Sequence, residues 1–77
     1  MVSCLLFRVM RYSYSNRALC YINLLRYAPG EKDADKSISL DPLFVKSWLR
    51  RGICRMGLKL PQHAYFDLLR VSFSALV

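Results

Sequence analysis

The sequence predicts an all-α fold of antiparallel helix pairs, a solenoid of about two repeats, and three observations point there. First, the chain aligns with itself at an offset of 34 residues, SYSNRALCYINL (Ser13 to Leu24) on SWLRRGICRMGL (Ser47 to Leu58). Ser13/Ser47, Arg17/Arg51, Cys20/Cys54 and Leu24/Leu58 are identical, Tyr14/Trp48, Ala18/Gly52 and Leu19/Ile53 keep their character, and Asp33/Asp67 match further along. A fixed period of this kind marks stacked units, none of which can bury its apolar face alone. Second, apolar residues recur at helical spacing, as in Leu5, Leu6, Val9 and Met10 and again in Ala34 and Ile38. Third, Pro29, Pro42 and Pro61 all fall near expected helix starts, where a missing N–H costs little.

Taken in order, residues 1–11 form an apolar leader or partial helix. Its Leu5, Leu6, Val9 and Met10 either extend the first helix backwards or pack on a neighbour, against the alternative of a frayed lead-in. Two repeats follow, 12–42 and 43–77. Helix A1 is expected over Tyr12–Arg26, B1 over Pro29–Leu40, A2 over Leu43–Gly57 and B2 over Pro61–Ala75. Ala18 and Gly52 are small where helix A must approach helix B. Gly30 stands where alanine is expected inside B1, at a cost of about 1 kcal/mol in helix propensity. Cys20 and Cys54 occupy equivalent positions and read as buried, inert thiols. Tyr14 and Trp48 read as packing residues rather than a stacking platform for bases.

With 77 residues the chain is one small domain at most, and its stability is expected to be marginal. Three cysteines without a C-x-x-C pair and a single histidine, His63, predict no disulfide framework, no metal site and no cofactor. The odd, unpaired cysteines suit a reducing compartment, so the expected location is cytoplasmic, with the nucleus as alternative. MVSCLLFRVM has no basic lead-in, is interrupted by Arg8, and is too short to span a bilayer.

The formal net charge of +7 would suit nucleic acid, an anionic membrane or an acidic peptide. The densest basic run divides between two faces of helix A2, which disfavours a phosphate-tracking stripe. Lys46 and Arg50 lie one turn apart on one side; Arg51, Arg55 and Lys59 lie on another and are expected to solvate the helix. No glycine-rich phosphate loop, carboxylate pair or nucleophile constellation is present, so the chain is not expected to be an enzyme or to take a small-molecule substrate. His63 and Asp67, one turn apart, read as a helix-surface contact.

The 34-residue period is that of the tetratricopeptide (TPR) helix-turn-helix. The first unit carries its pattern in Tyr14, Ala18, Tyr21, Tyr27, Ala34, Ile38 and Asp41-Pro42. The second departs from it, with Arg55 and Pro61 where aromatics are expected. From Tyr14 to Leu68 the chain resembles the carboxylate-clamp TPR domains of chaperone-binding co-chaperones. In that family an Asn on one helix A, and a Lys and an Arg one turn apart on the next, grip the terminal carboxylate and acidic side chain of a peptide. Asn16, Lys46 and Arg50 match those positions. The resemblance thus implies a protein partner, the acidic carboxy terminus of a heat-shock chaperone.

The residues agree, since Asn16 and Arg50 are related by the repeat and Lys46 precedes Arg50 by one turn. An amide donor, an ammonium and a planar guanidinium suit paired carboxylates, against the alternative of a solvated helix face. The family pattern also includes a preceding repeat with a further Lys and Asn, not seen before Tyr12, and a capping helix. Losing two such contacts is expected to weaken a ligand roughly a hundredfold. Alternatives from other classes are a truncated repeat fragment with no independent binding function, able only to pack on another chain, self-association included, and a basic nucleic-acid-binding helical protein.

Overall fold

A computed structural model of the chain describes residues 2–76, with side chains for residues 9–72. Four helices follow one another: α1 Val2–Asn23, α2 Tyr27–Leu40, α3 Val45–Gly57 and α4 Pro61–Leu76. Each packs against its neighbour in the chain, and α1 also touches α3. The result is an all-α pair of TPR-type helical hairpins, α1/α2 and α3/α4. The apolar leader continues helix A1 backwards as one helix from Val2; the expected packing of Leu5 and Leu6 lies outside the described side chains.

The two A-to-B turns repeat as faithfully as the helices. Helix α1 ends at Asn23 and not at the expected Arg26, because Leu25 takes φ 60° and Arg26 N–H donates to Tyr21 O at 2.8 Å. Leu25 N–H donates to Ile22 O at 2.9 Å. In the second unit Lys59 takes φ 60°, Leu60 N–H reaches Arg55 O at 2.8 Å and Lys59 N–H reaches Met56 O at 3.1 Å. This paired closure usually places glycine at the left-handed residue. Here leucine and lysine carry the strain.

The core is made of small residues. Ala18, Ala34, Cys54 and Ala64 are fully buried, and so are Ser15, Ser37 and Ser47. Gly30 has a packing reason that propensity alone misses. A Cβ there would come within 2.8 Å of Cys54 Sγ and 3.3 Å of Tyr21 Cβ, where α1, α2 and α3 converge. At Gly52 the nearest atoms would be Leu68 Cδ2 at 3.1 Å and Asp67 Cβ at 3.4 Å, and at Gly57 the Tyr27 ring fills the space. Ser37 ties three helices together: its hydroxyl donates to the Arg11 carbonyl at 2.7 Å and meets Ser47 Oγ at 2.5 Å. Asp41 orders the α2–α3 turn by accepting from Leu43 N–H and pairs with Arg11.

Candidate functional site

A frame of ion pairs decides which cations are left without a carboxylate. In the first unit Arg17 grips Asp33 with two parallel bonds, Nε–Oδ2 at 2.7 Å and Nη2–Oδ1 at 2.8 Å. In the second Arg51 grips Asp67 the same way, at 3.1 and 2.8 Å. Arg55 adds a bond to Asp67 at 2.9 Å. Arg51 also reaches Asp35 at 2.6 Å, and Arg55 reaches Glu31 at 2.9 Å. Glu31, Arg55, Asp67, Arg51 and Asp35 thus alternate in charge across α2, α3 and α4. Burial works against the Arg51 charge, but Asp67 and Asp35 outweigh it and hold its pKa above the ordinary arginine value.

Three expectations are corrected by this frame. Arg51 and Arg55 do not solvate a free helix face; α2 and α4 cover it, and both arginines are drawn into ion pairs. Asp67 is not a surface partner of His63, which is exposed, but the buried acceptor of two arginines. Of the two equivalent thiols only Cys54 is buried, because α2 packs over it at Gly30, whereas Cys20 is exposed. Burial first, then Glu31 and Asp33, push the Cys54 thiol up to about 11.

All five Asp and Glu side chains of the chain are engaged with Arg11, Arg17, Arg51 or Arg55. Lys46 and Arg50 have no carboxylate partner among the described residues. Arg51, pinned to Asp67, fixes the rotation of α3, and its neighbour Arg50 turns toward α1. There Arg50 Nη1 donates to Ser15 Oγ at 2.7 Å and lies 3.4 Å from Asn16 Oδ1. Burial pushes the Arg50 pKa below the ordinary value, partly countered by nearby Cys20. The guanidinium is therefore partly desolvated with only neutral partners, a condition that favours an incoming anion.

Of the three residues singled out from sequence, the structure brings Asn16 and Arg50 together across the α1–α3 contact. Lys46 stands one turn before Arg50, exposed, with no hydrogen bond among the described residues. Sequence reasoning missed Ser15. The available signal was a polar residue at Ser15 where the repeat register places apolar Leu49. Among the described residues no group of His, Cys, Asp or Glu is arranged to hold a metal ion, and no helix is long and apolar enough to cross a membrane.

The chain is similar to Hsp70-Hsp90 organizing protein 2 of Arabidopsis thaliana, 47% identical over 47 residues, 61% of this chain and 8% of that protein. It is 38% identical over 58 residues to Sperm-associated antigen 1 of Homo sapiens, 75% of this chain and 6% of that protein. To U-box domain-containing protein 70 of Oryza sativa subsp. japonica it is 53% identical over 38 residues, 49% of this chain and 5% of that protein. The chain thus spans less than a tenth of the length of the curated relatives it matches. No protein-family model and no solved structure matches it.

Proposed function

We propose that the chain is a protein-interaction module that takes the acidic carboxy terminus of a heat-shock chaperone on Asn16, Lys46 and Arg50. The observation that carries this reading is the distribution of charge: every side-chain carboxylate is committed elsewhere, and Arg50 sits partly buried against neutral oxygens. Asn16 Nδ2 and Arg50 Nε and Nη2 make no hydrogen bond among the described residues, so three donors point to no internal acceptor. An external carboxylate supplies the acceptors these donors lack. Similarity to Hsp70-Hsp90 organizing proteins supports a chaperone as its source.

The test is fluorescence anisotropy of a labelled acidic peptide with a free carboxy terminus, beside its amidated twin. Wild type is expected to bind the free acid, Lys46→Ala/Arg50→Ala to lose it, and the amide to bind neither. Equal binding of acid and amide by the folded protein would sink the clamp.

A second reading is favoured by one observation, the exposed Tyr65, Phe66 and Leu69 on α4. It makes the chain a repeat unit that works by packing on another chain. A helical circular dichroism signal that grows with protein concentration supports it, and a concentration-independent signal counts against it.

A further inference from the structure

We infer that Ser15 is a positioning residue for ligand binding: it holds the Arg50 guanidinium in the plane that presents its Nε/Nη2 edge to an anionic ligand. This rests on the carboxylate-clamp reading above for its ligand, but not for its geometry. Ser15 is fully buried, unlike its exposed neighbour Asn16, and its Oγ accepts from Arg50 Nη1 at 2.7 Å. A buried hydroxyl without a partner is costly, so the bond is favoured from both ends.

Its consequence is orientational. An arginine side chain on a helix surface samples many rotamers, and ordering it is a cost that a ligand otherwise meets at binding. Anchoring one terminal nitrogen to α1 removes most of that freedom beforehand. With Nη1 occupied by Ser15 and facing Asn16 Oδ1, the Nε/Nη2 edge remains, and that edge has the spacing for two parallel bonds to a carboxylate. Lys46 has no such anchor and acts as a mobile point charge. The two cations therefore have different duties: Lys46 attracts, and Arg50 reads shape.

The experiment has two arms. In the free protein, labelled with nitrogen-15, NMR reports rotation about the Arg50 Cζ–Nη1 bond. It is expected to be hindered in wild type and released in Ser15→Ala, with Ser15→Cys, which keeps the volume but accepts weakly, in between. Unchanged rotation in folded Ser15→Ala overturns the inference. In the second arm, anisotropy with the labelled free-acid peptide is expected to show Ser15→Ala about fivefold to tenfold weaker than wild type. That loss is expected to add to the Lys46→Ala loss, and to shrink toward nothing in an Arg50→Lys background, because a lysine offers no fork to orient. A Ser15→Ala loss that persists undiminished with Lys at position 50 means a merely structural role and overturns the inference. Hindered rotation released by Ser15→Ala, with no peptide binding by wild type, would remove the clamp reading and leave the positioning role intact.

Discussion

Arg17–Asp33 in the first unit and Arg51–Asp67 in the second are the same pair in sequence register and in bond geometry, yet they sit in different surroundings. The Arg17 side chain is 59% exposed, whereas Arg51 is 12% exposed and Asp67 1%. The difference lies outside each unit's own sequence. Helix α3 is covered by α2, which delivers Asp35 and Glu31 to it, while the matching face of α1 has no such cover among the described residues. What a repeated residue contributes is thus set by its neighbour in the stack, as expected for a structure in which units interact only with those beside them.

The largest effect is expected at Asp67. Asp67→Asn removes the acceptor of two partly buried arginines, which costs about 3 kcal/mol, the low end for a broken buried pair, because Asp35 and Glu31 still hold one edge of each. For a chain of this size that is most of the available stability, so its melting transition should drop steeply toward 25 °C. Asp33→Asn should remain folded with a modestly lower melting temperature. Equal losses would break the comparison.

Next come the paired positions Gly30 and Ala64. Helix propensity alone favours alanine at Gly30 by about 1 kcal/mol. Contact with Cys54 Sγ instead predicts that Gly30→Ala lowers the urea midpoint, with a net loss of about 1–2 kcal/mol from overpacking. Ala64, the equivalent position in α4, is fully buried and already carries that methyl.

The cysteines sharpen the contrast chemically. At pH 8 Cys20 should react with a thiol reagent while Cys54 stays protected until the protein unfolds. With the folded Cys54 pKa raised to about 11 from 9.0, the unfolded chain gives up this proton first as pH rises. Its stabilising contribution is present below pH 9 and is lost as pH climbs to about 11, and Cys54→Ala should flatten that part of the stability curve.

The smallest effect concerns a feature the two units share. Leu25→Gly and Lys59→Gly should each raise stability by about 0.5–1 kcal/mol by relieving the left-handed backbone, and by similar amounts. A gain at only one of them would mean that the turns are not equivalent.

The helical fold was legible because identities at a constant offset report stacking directly, and the starts of α2, α3 and α4 to within two residues because a proline lies near each. The end of α1 was not, since Leu25 is not the glycine that would announce a left-handed cap, whereas α3 ends at Gly57 as expected even though Lys59 takes the left-handed position. For the candidate site, the register placed Asn16 and Arg50 opposite each other, as the structure has them. It misjudged Arg51 and Arg55, because angular spacing on one helix separates faces without saying which neighbour covers them. Asp33 and Asp67 were both visible as repeated residues. Their partners, Arg17 and Arg51, were also visible, but only packing joins positions that distant in the chain.

The alternating girdle of Glu31, Arg55, Asp67, Arg51 and Asp35 has a kinetic consequence. Since every side-chain carboxylate is paired with an arginine, the surplus of +7 has no internal counter-charge and acts as a long-range field. Encounter with any acidic ligand should therefore slow steeply as ionic strength rises and the screening length contracts. Under the proposed clamp, release of the ligand should barely respond to salt, because short-range contacts at Asn16 and Arg50 would govern it. Under that proposal, capture would draw on the whole net charge of one small chain and retention on two of its residues.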